Sequence, residues 1–295
     1  MDFTYKPGDA NRFVTVDKKQ MINVFEQHDI VADATADTDL FWDLLKCVIP
    51  HDAEREHFVN WYAYPLQNPG KKIRHAIILQ SDEFQLGKGS LFDLHRDMLG
   101  LHNTRKIELE EALDKGKGYL INAQTVLIDE AKSSGSWAEK SKLINTLKTI
   151  ITEGSIGVRQ LYREYSEQDT CTNYWINTNH RDAFALPYNE VRYWVYFCEA
   201  LRNDAMLKDF HNQRLNHARE NHNLAQGVYH ELMNRDLSKF NPLAPAPWTS
   251  FRDEMSQLSD RPLHDYIKES FAQGVHPFDR DMLTTAELFD YVRIE

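Results

Sequence analysis

A loop that grips phosphate needs unobstructed backbone N–H groups and a cation within reach. Gln85-Leu86-Gly87-Lys88-Gly89-Ser90 offers both. The apolar, β-branched run Ala76-Ile77-Ile78-Leu79 leads into it, and a helix-like pattern follows from Leu91 to Leu99. That order aims loop amides and a helix N-terminus at phosphate oxygens, while Lys88 supplies a point charge for the β and γ phosphates. Two positions depart from the usual pattern. Asp82 stands where a Gly normally allows close backbone approach, and its carboxylate repels a polyphosphate. Gly89 replaces the Ser or Thr whose hydroxyl usually ligates Mg²⁺, although a Gly after the lysine is compatible with nucleotide binding. Ser90 keeps a hydroxyl about 100° further round the helix, a candidate for the α-phosphate or the metal side. Weak ATP binding, or lost hydrolysis, is the expectation these two positions raise.

Acids come next. Thr125-Val126-Leu127-Ile128 is an apolar run that ends in Asp129 and Glu130. At the tip of a strand beside the phosphate loop, Asp129 would hold the water shell of Mg²⁺ and Glu130 would polarise the attacking water. A strand that merely stops at two solvated acids is the plain alternative. Tyr174-Trp175-Ile176 then leads into Asn177-Thr178-Asn179, where a neutral amide can bond the γ-phosphate without competing for metal. Between these strands, Ile156 to Arg163 alternates polar and apolar and Glu164 to Thr170 is turn-prone, which predicts a hairpin.

In this order the motifs resemble the superfamily 3 helicases of DNA viruses and phages, which have an AAA+-type core and work as hexameric rings. Gln85 to Ser90 takes the Walker A place, Asp129 and Glu130 Walker B, Leu147 to Gly154 the B′ motif and Asn177 the sensor asparagine. Arg192 sits where the family carries its arginine finger, with Arg181 competing for that role and a simple ion pair to Glu190 as the structural alternative. Two flanking stretches, Trp61 to Gly70 and Arg235 to Thr249, are similar to segments of phage primase–polymerases. The resemblance implies an ATP- and Mg²⁺-dependent DNA motor in the cytoplasm of a phage-infected bacterial host. Its partners would be single-stranded DNA in a ring channel, further copies of the chain in a hexamer, and a primase or polymerase domain in the same or a partner chain. A ring that has kept the fold and lost the motor is the second reading. A small-molecule phosphotransferase, suggested by Gly87 to Ser90, ranks below both because no dense Arg cluster follows the core.

The formal charge of −11 argues against a surface coated with positive potential, so DNA contacts must be concentrated. Lys148, Arg159 and Arg163, with Lys142, are the candidates, being near the hairpin that lines the pore in the resembled family. Tyr162 and Tyr165 are candidates for base stacking, or for ordinary hairpin packing. Cys47, Cys171 and Cys198 lack zinc or redox spacing and read as free thiols. The histidines from His211 to His230 show no metal geometry.

These parts need an α/β scaffold. Apolar strands centred on Ile77, Leu127, Ile176 and Val195, with helices at Leu91–Leu99 and Ser136–Ile151, predict a P-loop NTPase core over residues 71–200. Residues 1–70 read as a mostly helical accessory region, with a strand at Phe13–Val16 and helices at Lys19–His28 and Asp39–Val48. Residues 201–295 read as a helical C-terminal region with a long helix from Ala205 to Met233. No run reads as a membrane span or a signal peptide, and the abrupt opening predicts a portion of a longer replication protein.

Overall fold

The computed structural model describes residues 2–113, 122–131, 137–158, 166–181, 183–184, 186–187, 189–200, 223–258, 262–280 and 282–293. At its centre is a parallel sheet of five strands: β4 (Ala76–Gln80), β5 (Thr104–Ile107), β6 (Thr125–Ile128), β9 (Asn173–Thr178) and β10 (Tyr193–Phe197). Their spatial order is β10-β4-β9-β6-β5. The amide strand β9 thus lies between the loop strand β4 and the acid strand β6, so the three strand ends that carry the candidate site residues are neighbours.

The apolar runs become strands because both sheet faces are covered. Ile77, Leu79, Leu127, Trp175, Trp194 and Tyr196 pack into one core cluster. Ile78, Val126, Ile128, Tyr174, Ile176 and Val195 pack into another. Alternation along each strand sends successive side chains to opposite faces. The first face is covered by α1 (Asp39–Val48), α2 (Asp52–Gln67), α3 (Lys88–Leu99) and α6 (Asn223–Met233), which all contribute to the same cluster. In α1 the buried residues Phe41, Leu44, Leu45 and Val48 follow helical spacing. On the second face lie α4 (Leu109–Leu113) and α5 (Trp137–Thr152), with Met255 of α7 (Ser250–Leu258). Helices α8 (Pro262–Gln273) and α9 (Thr285–Arg293) end the described chain. No described helix is long and apolar enough to cross a membrane.

Three expectations need correction. Lys19 opens a strand, β3 (Lys19–Asn23), rather than a helix. It pairs antiparallel with β2 (Phe13–Val16) and parallel with β1 (Asp2–Thr4). The cause is the two-residue loop Asp17-Lys18, both at positive φ (48° and 66°), the twist that a tight hairpin requires. Likewise Ser166–Asp169, inside the stretch read as turn, is strand β8, pairing antiparallel with β7 (Ser155–Val158). The hairpin therefore exists, but its second arm was hidden by polar residues. Edge strand β5 was missed for the same reason, since Arg105 and Lys106 interrupt its apolar pattern. Of the long helix expected from Ala205, Asn223–Met233 is seen as α6; residues 201–222, with His211, His217 and His222, lie outside the described residues.

Candidate active site at the carboxyl edge of the sheet

Because side chains alternate along a strand, the face carrying Leu79, Leu127 and Trp175 continues as Ser81 and Asp129, just past their strands, and as Asn177, within the last pleat of β9. Lys88, in the first turn of α3, reaches into this row and is 7% exposed. Its Nζ donates to Asn179 Oδ1 at 2.7 Å, to the Thr178 carbonyl at 3.2 Å and to Ser81 Oγ. Burial pulls the ammonium pKa below its usual value, opposed by nearby Cys198 and Asp129.

Asp129 joins the acid and amide strands. Its Oδ1 accepts from Asn177 Nδ2 at 3.2 Å, and its Oδ2 pairs with Lys106 Nζ at 2.6 Å. Asn177 is itself oriented by the Trp175 indole, whose N–H donates to Asn177 Oδ1 at 2.9 Å. Since that indole can only donate, it settles which end of the amide faces Asp129. Asn177 thus bonds Asp129 directly, and Lys88 reaches the same end of β9 through the Thr178 carbonyl and Asn179. Sequence reasoning placed the sensor role on Asn177 alone; the direct lysine partner is Asn179, and period-two spacing from Asn177 was the available signal. Lys106 was not anticipated. Glu130 is exposed, with left-handed backbone at φ 51°, a conformation that costs a non-glycine residue about 1 kcal/mol.

The loop's two central glycines differ sharply. Gly87 caps α3 at φ 92°, and a Cβ there would come within 2.5 Å of Leu44 Cδ1 on α1. Helix α1 therefore backs the loop. Around Gly89 nothing lies within 4 Å of an added Cβ, so the missing hydroxyl is not excluded by crowding. Gln85 holds a left-handed φ of 64°, Leu86 is buried and Ser90 is half-buried.

Asp82 does not face the loop as a bare charge. Arg181 grips it through two bonds, Nε to Oδ1 at 2.8 Å and Nη2 to Oδ2 at 2.6 Å. Hydrogen bonding from Arg181 holds the Asp82 carboxyl below its ordinary pKa. The same guanidinium lies 4.3 Å from the centroid of the Phe197 ring. Arg181, the competing finger, is thus engaged within its own chain.

Arg192 lies at the other end of the sheet. Its carbonyl accepts from the amide of Ala76, the first residue of β4, and its Nη1 pairs with Glu190 Oε1 at 3.1 Å. Lys148 pairs with the second oxygen of Glu190 at 2.8 Å, so its ammonium is anchored to a buried acid rather than projected. Burial works to raise the Glu190 pKa, but Lys148 and the Arg192 amide and guanidinium outweigh it and the net shift is downward. Arg159 and Arg163, with Tyr162 and Tyr165, lie outside the described residues, as does the side chain of Lys142.

Among the described residues no group of three or more His, Cys, Asp or Glu is arranged to hold a metal alone. One carboxylate at Asp129, 22% exposed, suits a Mg²⁺ that arrives with phosphate, because that ion keeps waters and takes few protein ligands. The residues present therefore fit Mg²⁺ as a companion of a polyphosphate.

A family model described as "Family of unknown function (DUF5906)" matches residues 79–192. Among curated proteins nothing matches. Two solved structures of the C-terminal region of NrS-1 align with 99% of this chain and 70% of their own, at 17% identity. Their TM-scores are 0.71, for its A form without ligand, and 0.69, for the apo region spanning 305–718. A JCV helicase structure aligns with 81% of the chain and 65% of its own at 14% identity, but a TM-score of 0.41 is too low to carry weight. The likeness to NrS-1 is one of fold. The molecule has the α/β fold, built on a parallel sheet, that the order of motifs led one to expect.

Proposed function

We propose that this chain is the helicase-like module of a phage replication protein, an ATPase that assembles as a hexameric ring and moves on single-stranded DNA. The observation that carries this reading is the convergence of Lys88, Asp129 and Asn177 at the carboxyl ends of three adjacent strands. In it, Lys88 and the amides from Gln85 to Ser90 hold the triphosphate, trading the bonds Lys88 makes to Asn179 and Ser81 for phosphate oxygens. Asp129 and Ser90 would hold Mg²⁺, which when bound spreads the charge of the β and γ phosphates. Asn177, oriented by Trp175, presents an amide to the γ-phosphate, and exposed Glu130 takes the proton of the attacking water. Arg192 is too far along the sheet to serve its own loop, so in this reading it serves the loop of the next subunit. A primase or polymerase domain, in the same or a partner chain, would supply the template strand in the bacterial cytoplasm.

The second reading is a ring that has lost hydrolysis and organises a polymerase or primase on DNA. Gly89 favours it, because the metal side lacks a hydroxyl at that position. One experiment separates the two: ATP turnover with and without single-stranded DNA, alongside light scattering with and without nucleotide. DNA-stimulated turnover that disappears in Lys88→Ala, in a particle of six chains, supports the motor. Six chains without turnover support the scaffold. A monomer indifferent to ATP and DNA sinks both.

A further inference from the structure

Asp129 is the only acid in the row of site side chains described above, yet it already has a resident cation. Lys106 comes from β5, at the sheet edge, and is the register partner of Leu127. Parallel partners point to the same face, so Lys106 stands on the face that continues into Asp129, two residues beyond Leu127. Thr104 and Ile107 of the same strand are buried, which fixes the strand and aims its one lysine at the site. The ammonium meets Asp129 Oδ2 at 2.6 Å, with Lys106 48% and Asp129 22% exposed. The other carboxylate oxygen is on Asn177.

We infer that Lys106 is an exchangeable counter-charge for Asp129: it neutralises the acid while the site lacks metal and yields the carboxylate to a divalent cation that arrives with the triphosphate. The inference rests on the proposed nucleotide reading and deepens it. A bare Asp129 would repel an incoming polyphosphate at the lip of the loop. Paired with Lys106, it does not. A half-exposed ammonium is also easily released, because water solvates it as it leaves and the pair is held only weakly. Lys106 is therefore a positioning residue for the metal step, not one that touches the reacting atoms.

The test compares wild type, Lys106→Met, Lys106→Arg and the double variant Lys106→Met/Asp129→Asn. Mn²⁺ binding to the nucleotide-free protein is read by electron paramagnetic resonance, and a fluorescent ATP analogue is titrated in EDTA and against Mg²⁺. Lys106→Met is expected to bind Mn²⁺ roughly fivefold more tightly, as loss of an exposed competing pair allows. The gain should vanish in the double variant and be absent in Lys106→Arg. In EDTA, Lys106→Met should bind the analogue more weakly than wild type, while needing less Mg²⁺ for half-maximal affinity. Equal Mn²⁺ affinity in wild type and Lys106→Met overturns the exchange even if the analogue binds normally. If the Mn²⁺ gain appears and no variant binds the analogue, the exchange stands and the nucleotide reading falls.

Discussion

The two ends of the central sheet handle charge in opposite ways. At the carboxyl edge, Asp82–Arg181 and Asp129–Lys106 leave at least one partner about half exposed. At the amino edge, Glu190 is 3% exposed and holds Lys148 and Arg192, and it accepts from the amides of Val191 and Arg192. Arg252 adds a bond to the Glu190 carbonyl at 3.0 Å. Nearby, His57 and His75 share an Nε2···Nε2 contact of 3.1 Å, with His75 1% exposed. Pairs covered by water can be traded for a ligand at little cost, whereas buried ones leave an uncompensated charge when either side goes. One edge is therefore suited to exchange partners and the other to hold the strands that do so.

Acid should break this contrast most completely. Burial pushes His57 down to about 3 and His75 to about 4, and His95, fully enclosed beside Tyr62, also to about 3. In the unfolded chain these rings titrate near 6.5. The folded pKa values are depressed, so the stabilisation is complete above about pH 6.5. It is lost progressively as pH falls from there, and the loss is complete once the folded values of about 4 and 3 are passed. Thermal melts from pH 8 to pH 4 should show a steep decline below about pH 6.5. Replacing His57 with Gln should flatten part of that slope. A melting temperature unchanged down to pH 5 would contradict neutral burial of the three rings.

Glu190→Ala is expected to cost about 2–4 kcal/mol, toward the lower end because Arg192 is partly solvated. It strands Lys148, which is 20% exposed, and leaves two backbone amides without their acceptor. Lys106→Met at the other edge should change stability by no more than about 1 kcal/mol. Urea denaturation of both variants sharpens the comparison directly. Similar losses would mean that burial does not distinguish the two edges.

The strands that build the site were legible because a strand buried on both faces must be an uninterrupted apolar run, as around Ile77, Leu127, Ile176 and Val195. The helices covering them followed from spacing, α1 most cleanly. What escaped was of two kinds. Polar strands such as β3, β5 and β8 are set by a turn or a neighbour, not by their own pattern. Side-chain partners set by strand order were invisible too: Arg181 meets Asp82 across 99 positions, and Lys106 meets Asp129 only because β5 lies beside β6. The motif lysine could be named from sequence, but not the bonds that hold it to Asn179 and Ser81.

Within the loop itself a smaller contrast is available. Gly87→Ala places a Cβ against Leu44 and forces a residue with φ 92° out of its preferred region, which should cost roughly 1–3 kcal/mol. Gly89→Ala meets nothing and lies in a helical turn, so it should be neutral or stabilising by about 0.5–1 kcal/mol. Equal melting temperatures for the two variants would show that α1 does not brace the loop.

The smallest effect is expected at Asp82–Arg181, where its form matters more than its size. Both side chains are about half exposed, so a double-mutant cycle of Asp82→Asn and Arg181→Gln should give a coupling of about 1 kcal/mol or less in stability. Nucleotide affinity should respond with opposite signs. Arg181→Gln uncovers a carboxylate at the mouth of the phosphate loop and should weaken binding a few-fold. Asp82→Asn removes that carboxylate, leaves a free guanidinium in its place and should strengthen binding. The double variant, with neither charge, should return close to wild type. Titration of the four proteins with a fluorescent ATP analogue distinguishes this from a purely structural pair, for which both single variants would bind more weakly by disturbing the loop.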